Sequence, residues 1–508
     1  MDVRNPWALA LSALLFSGPA FAGSIAGFSH TPCGDACSHT PGVGVGVLAA
    51  PPAIEEFPPA QRRVLERLVA RAQAGDELPM MCLAPGTDPK FADAFNSYLE
   101  SLRNEGPERY VLSGRWSTTA LDGNTGAQGN PVTLTYSFVP DGTTTDEGPS
   151  DFIARFNFLY GSINVWQPLF QQALDEWTEV SGITYVWEQN DDGVQLNGAG
   201  GVAGVRGDVR IGGGFIDGNS GVLAYNYFPN NGDMTIDTGD NFYGAFGNNS
   251  IRLRNVVTHE AGHGIGLSHV ESNNAAFLME PFINTNFEGA QEDDQRGSGR
   301  AYGDRFENDD SFGAAGSLAT MAGTAGAFGP GDSATVSNRS VDDSGDADYM
   351  WFNTAGSLDA MITLQPLGTT YNQGPQGGSQ SSFNALTTSD LSFNVYDSSF
   401  GLVASVDATG AGSAESTTVS LVGTGPHYIR VNGDAGNIQR YDLDVAFSGG
   451  VACFGDCDGN GSFNVDDVDC FVVAFVGGDL SGADCDGNGT LNVDDVDCFV
   501  DAFVNQCQ

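Results

Sequence analysis

Lysine is almost missing from this 508-residue chain: Lys90 is the only one, so arginine carries nearly all the positive charge. Lysine and arginine together number 20 against 64 aspartates and glutamates, a formal net charge of −44. That excess of acid repels phosphate backbones and anionic headgroups, and it argues against nucleic acid or an anionic membrane surface as partner. Long apolar runs are missing too. Beyond the first residues no stretch of about 18 apolar residues appears, so no inserted membrane helix is expected. Histidine is scarce, six in all, yet three of the six fall within eleven residues. Much of the acid sits in Asp-Gly-Asn clusters, a composition that suggests calcium ligation; an acidic surface suited to salty water explains it as well.

The clustered histidines are His259-Glu-Ala-Gly-His263-Gly-Ile-Gly266-Leu-Ser-His269. On a helix His259 and His263 lie one turn apart on one face, so both imidazoles can reach one ion. Gly266 can adopt the conformation that ends the helix and turns the chain back, delivering His269 to the same point. Three nitrogens leave a tetrahedral zinc one open position for water, a catalytic rather than a structural arrangement. Glu260 then faces that water as general base. A bare HExxH occurs by chance in many chains, but the complete H-E-x-x-H-x-x-G-x-x-H is far rarer. Met279 follows in Phe277-Leu-Met-Glu-Pro281.

The start reads as an export signal over residues 1–22. Arg4 supplies the positive region, Trp7 to Phe16 the apolar core, and Ala20-Phe21-Ala22 a small-x-small cleavage site. The expected location is secreted or extracellular, with cell-surface association as a variant. Oxidising surroundings allow disulfides among nine cysteines. Six of these lie in the tail: Cys453, Cys457, Cys470, Cys485, Cys498 and Cys507, of which Cys453 and Cys507 can clasp the ends. Cys33 and Cys37 are near neighbours. Residues 23–111 read as a partly helical propeptide, with helical patterns at Ala60 to Ala72 and Phe91 to Arg103. Cys82 lies between those patterns. It is either a latency thiol filling zinc's open position, a buried free cysteine, or a partner of Cys33 or Cys37.

Residues 112–305 resemble the matrixins among the metzincin zinc peptidases, beyond the zinc motif itself. Val132 to Phe138 looks like the family's first strand. Phe170 to Val180 looks like its first helix, with Trp177 in the tryptophan slot. Asp208-Val-Arg-Ile211 resembles a core strand, Gly221 to Ala224 the edge strand above the cleft, and Glu292 to Gly303 the last helix. The resemblance implies an α+β domain, a twisted mixed sheet with an active-site helix. It implies one catalytic zinc on His259, His263 and His269, Met279 as floor beneath it, and Pro281 in the wall of the S1′ pocket. Substrate would add as an antiparallel strand along Leu223 and Ala224. Asp217, Asp237 and Asp240 align with the family's structural calcium ligands. The sequence departs from the family in places. Thr235 stands where a histidine of a second, structural zinc is expected, which predicts a single zinc. Val270 replaces a serine, Glu280 follows the methionine, and the latency motif Pro-Arg-Cys-Gly is replaced by Met81-Cys82-Leu83-Ala84-Pro85.

Residues 306–449 are rich in glycine, serine, threonine and alternating apolar positions, with strands expected at Leu391–Tyr396, Leu402–Val406, His427–Val431 and Tyr441–Val445. That predicts an all-β sandwich or jelly roll. Glu307-Asn-Asp309, Asp346-Ala-Asp348 and the closing Tyr-x-Leu-x-Val resemble the bacterial pre-peptidase C-terminal domain, which implies substrate or surface binding; a solubilising spacer is the alternative. Residues 450–508 hold a repeat of period 28, Asp456-Cys-Asp-Gly-Asn-Gly returning as Asp484-Cys-Asp-Gly-Asn-Gly. Oxygens at loop positions 1, 3, 5, 9 and 12, with glycine at 6, form an EF-hand pattern. The predicted ligands are Asp456, Asp458, Asn460, Asn464 and Asp467, then Asp484, Asp486, Asn488, Asn492 and Asp495. With aspartate at the twelfth position, the small α module resembles dockerins, which implies a cohesin-like partner; a free-standing calcium-stiffened tail is the alternative.

The sequence therefore predicts a multidomain, secreted zinc endopeptidase that cleaves internal bonds of proteins or peptides, stabilised by structural calcium. The competing expectation is a calcium-dependent adhesion or scaffold protein with an inactive peptidase-like core.

Overall fold

The computed structural model describes residues 54–102, 112–376, 378–449, 454–458 and 463–504. The export signal, Cys33, Cys37, Cys453, Asn460 and Cys507 lie outside them. Among the described residues no helix is long and apolar enough to cross a membrane.

Two helices, α1 (Pro59–Ala74) and α2 (Pro89–Leu102), flank a short strand, β1 (Met80–Leu83), as the two helical patterns foretold. α1 buries Val64, Leu65 and Leu68, a stripe at helical spacing. The strand was not foreseen. The following region carries strands β2 (Val132–Phe138), β3 (Ile183–Trp187), β4 (Val209–Gly214), β5 (Val222–Asn226) and β6 (Met234–Asp237). With β1 they form one sheet in the order β1-β5-β6-β4-β2-β3. The β2, β3, β4 and β6 neighbours run parallel, whereas β5 is antiparallel to β6.

Helices α3 (Phe152–Tyr160) and α4 (Ile163–Thr178) precede β3, and α5 (Gly247–Gly264) carries the first two motif histidines. α4 begins earlier than the expected Phe170. Its buried stripe Trp166, Leu169, Phe170, Ala173, Leu174 and Trp177 keeps one face apolar from the first turn onward, and Pro168 does not end it. Trp177 donates its indole N–H to the Thr258 carbonyl at 2.9 Å, tying α4 to α5. Strand β7 (Val270–Glu271) follows, and α6 (Glu292–Tyr302) closes the region.

The β region is two sheets face to face. Five strands run in the order Gly316–Ser317, Ala347–Thr354, Gly425–Gly433, Leu391–Tyr396 and Leu402–Val406. The other sheet orders Ser333–Val341, Gln439–Gly449, Leu358–Leu367 and Glu415–Leu421. Leu358, Ala360, Ile362 and Leu364 alternate inward along one strand, as a half-buried strand requires. All four strands expected from the sequence are present. One hairpin leaves the sandwich: β8 (Thr370–Pro375) and β9 (Ser381–Asn384) join β7 in a separate three-stranded sheet.

The tail holds α7 (Val465–Gly477) and α8 (Val493–Val504), stacked through Phe471 and Phe499 with ring centroids 4.1 Å apart. Disulfides Cys457–Cys470 and Cys485–Cys498 tie each loop to its own helix.

Candidate metal centre and cleft

α5 presents His259 and His263 one turn apart, and both are fully buried. The helix can pass over Met279 only because residue 262 is glycine: a Cβ there would meet Met279 Sδ at 2.4 Å and Trp177 Cζ2 at 2.9 Å. Gly266 has φ +106°, and a Cβ on it would meet the Gly114 carbonyl oxygen at 2.0 Å. A side chain at that turn would therefore be doubly excluded, and the turn brings His269 back to the helix.

The three Nε2 atoms converge, with His259–His263 at 3.0 Å, His259–His269 at 3.1 Å and His263–His269 at 3.2 Å. Four-coordinate zinc with nitrogens at ~2.0–2.1 Å would set them about 3.3 Å apart, so the triad fits that ion. Each opposite nitrogen meets an oxygen. His259 Nδ1 lies 2.7 Å from the Leu278 carbonyl, His263 Nδ1 2.6 Å from the Leu267 carbonyl, and His269 Nδ1 2.7 Å from Gln376 Oε1. An Nδ1–H donating to each oxygen leaves Nε2 with its lone pair, the form a ligand needs. Burial holds His259 at a pKa of about 4, so its ring is neutral.

Glu260 is fully buried, and neither carboxylate oxygen has a well-formed hydrogen bond. Burial pushes its pKa up to about 8. A buried carboxylate met only by Cys82, beside three convergent imidazoles, is a poor way to fill a core and a suitable way to face a polarised water. Met279 is buried beneath the helix, and its N–H donates to Asp294 Oδ1 at 3.1 Å.

The cleft is bounded by β5, which contains Leu223 and Ala224, and by the segment from Pro281 to Ile283. β1 lies between them. It pairs antiparallel with β5, Cys82 opposite Ala224, and the Leu83 N–H donates to the Pro281 carbonyl at 2.9 Å. The Ile283 N–H in turn donates to the Leu83 carbonyl at 3.0 Å. Cys82 is a free, buried cysteine whose thiol faces Glu260. Its pKa is raised by burial first and by the Glu260 charge next. The sulfur is not part of the cluster of ligand atoms formed by the histidines. Of the sequence readings of Cys82, the structure places it as a free, buried cysteine, with its thiol against Glu260.

Asp217, Asp237 and Asp240 share a loop region, but their oxygens do not converge within 4.8 Å as the histidine nitrogens do. They accept backbone N–H groups instead: Gly218 to Asp237 at 2.7 Å, Phe242 to Asp240 at 2.6 Å, Val222 to Asp217 at 3.1 Å. Burial, with the charges of Asp237 and Asp240 adding to it, pushes Asp217 up to about 8. In the tail, Asp456, Asp458 and Asp467 converge, as do Asp484, Asp486 and Asp495. Asn464 and Asn492 act as helix caps, accepting from Asp466 N at 2.8 Å and Asp494 N at 2.7 Å. Asn488 Oδ1 accepts from Thr490 N at 2.8 Å. Gln376 had no signal in the sequence: it stands in a Gly/Gln/Ser stretch without period or motif.

Comparison with known proteins agrees with this geometry. The sheet, the two-histidine helix and the turn to the third histidine together form one candidate metal-binding region. The family described as Matrixin (Peptidase_M10) matches residues 162–303. Metalloendoproteinase 4-MMP of Arabidopsis thaliana is 27% identical over 150 residues, 29% of this chain and 38% of that protein's length. This chain therefore matches well under half of that relative. Two solved structures are similar to part of the chain. The pre-peptidase C-terminal domain of a Bacillus anthracis collagenase is 12% identical with a TM-score of 0.16, covering 24% of this chain and 91% of its own. A carbohydrate binding module of Cellvibrio mixtus lichenase 5A, in complex with cellotriose, is 11% identical with a TM-score of 0.11, covering 23% and 72%.

Proposed function

We propose that this chain is a secreted zinc endopeptidase that hydrolyses internal peptide bonds and is held latent by its own N-terminal segment. The observation that carries the reading is the convergence of three buried Nε2 atoms beside the buried Glu260 carboxylate. Zinc held by His259, His263 and His269 would supply Lewis acidity, polarising the scissile carbonyl and acidifying water. Glu260 takes the proton of the attacking water and returns it to the leaving amine. Leu223 and Ala224 of β5 align the substrate strand through backbone hydrogen bonds, and Pro281 walls the pocket for the side chain after the scissile bond.

In the latent chain β1 fills that strand position, and Cys82 covers the base. Support comes from the two-sided pairing of β1 with Ala224 and Pro281. It also comes from a shared core in which Leu65, Met81 and Phe91 pack with Val222 and Tyr225. Calcium is assigned to the two tail loops, where carboxylate oxygens converge, and to the Asp217, Asp237 and Asp240 region, where the charges of Asp237 and Asp240 raise the pKa of Asp217.

The test is casein or gelatin cleavage by the chain before and after removal of the segment up to about residue 111, beside Glu260→Ala and a chelator. Glu260→Ala should retain zinc and lose about 10²–10⁴-fold in turnover. Zinc-loaded chain that cleaves nothing after that removal would favour the adhesion reading instead. One observation favours that second reading: exposed valines 472, 473, 476, 500 and 504 on the tail helices offer a partner an apolar surface.

A further inference from the structure

The three histidines differ in who holds them. His259 and His263 lean on carbonyls of the region they belong to, Leu278 and Leu267. His269 leans on Gln376, 107 residues further on, in the hairpin that leaves the β sandwich. The register explains the meeting. β7 follows His269 directly and pairs antiparallel with β8, Val270 opposite Pro375 and Glu271 opposite Gly374. Extending that register by one residue sets Gln376 opposite His269.

We propose that Gln376 is a positioning residue of the metal centre, so that the β region completes the zinc site instead of merely trailing it. The inference rests on the zinc reading above. Its Oε1 accepts the Nδ1–H of His269, fixes the tautomer, and keeps the Nε2 lone pair on the point where the other two nitrogens meet. His269 is 2% exposed and Gln376 7%, so water cannot readily take over the amide's role. The hairpin is also pinned where a loose surface contact would not be. Tyr371 donates its hydroxyl to Asp293 Oδ1 at 2.7 Å and packs its ring on Phe277, centroids 5.0 Å apart. The Arg296 guanidinium sits over Phe383 at 4.5 Å, and the Thr369 N–H donates to Glu292 Oε1 at 2.7 Å. Asp293, Arg296 and Glu292 all belong to α6, and Phe277 stands two residues before Met279. The hairpin therefore grips the same wall that supports the zinc site from below.

The experiment uses the full chain and three variants, Gln376→Met, Gln376→Asn and Gln376→Glu. Zinc affinity is read by competition with a chromophoric chelator, the cobalt(II) form by its visible absorption, and the fold by thermal melting. Gln376→Met removes the acceptor at similar size, and Gln376→Asn keeps an amide that is one carbon too short. Both should weaken zinc binding by about 10- to 100-fold and shift the cobalt bands. Gln376→Glu keeps an acceptor in reach and should hold zinc within about threefold of the parent, a rescue that simple packing would not give. Unchanged affinity and cobalt spectrum in the Met and Asn variants would overturn the proposal, as would equal losses in all three. If Met unfolds the hairpin, the Asn and Glu pair still decides. A parent that binds zinc but cleaves no protein even after the segment up to about residue 111 is removed would sink the peptidase reading and leave this one standing. A parent that binds no zinc would sink both.

Discussion

The histidine centre and the tail loops both gather metal-ligand side chains, under opposite conditions. At the centre the three ligands are at most 2% exposed, each ring is fixed by a neighbouring oxygen, and the helix beneath is packed on Met279 and Trp177. In the tail, Asp458 and Asp486 are exposed, and among the described residues the buried apolar core is Phe471, Ala483 and Phe499. The same bonds appear in both repeats: Asp458 N to Asp467 Oδ1 and Asp486 N to Asp495 Oδ1, each at 3.4 Å. One site is shaped by its fold. The other has little apolar core among the described residues, and a disulfide ties each loop to its helix.

Withdrawing calcium is the widest wedge between the two. EGTA together with a reductant should abolish a distinct tail transition in calorimetry while the main transition persists; one joint transition would show that tail and core are a single cooperative block. Reduction alone should cost less, about 3 kcal/mol for each of the two disulfides among the described tail residues, whose cysteines are 13 residues apart. It should leave the melting of the main body unchanged, because among the described residues there Cys82 is free and no disulfide is present.

Gly262→Ala attacks the other side of the comparison. The added methyl would press on Met279 Sδ and should cost roughly 1–3 kcal/mol of stability, with zinc affinity falling as α5 shifts. Equal stability and affinity would mean that the centre is softer than its packing indicates.

The smallest effect is one of pH. Burial pushes Glu280 and Asp293 up to about 7 and Asp294 to about 6. These groups keep protons in the folded chain that the unfolded chain has lost. Their contribution to stability is full below the ordinary carboxylate range and is lost as pH rises through 6 to 7. The main melting temperature should therefore decline across that window; a steady rise would show that other groups control it. The tail, whose acids are mostly exposed, should show no such decline.

The convergence of the three histidines was legible because all three lie within eleven residues and obey local geometry, helix spacing and one turn. The strands of the sandwich were legible for a similar reason, since alternation is local. What escaped depends on register between distant segments. Met80–Leu83 is four apolar residues in a row, too short for periodicity to tell a strand from a helix end. Gln376 meets His269 only through the pairing of β7 with β8, which no composition signals. Asn464 and Asn492, expected at loop position 9, also cap the helices that start there, a second role that the ligand spacing alone does not signal.

On the proposed function, the strand β1 is a tethered competitor, because it belongs to the same molecule as the strand and segment it pairs with. A linked segment acts at an effective concentration on the order of millimolar, whatever the dilution of the protein. Diluting the chain would therefore not relieve its occupancy, and a free substrate would have to outbid it at that level. Once the backbone between β1 and the cleft is cut, the segment becomes an ordinary ligand that dilution can wash away. Cutting the connection thus changes the units in which inhibition is counted, from a property of the molecule to a property of the solution.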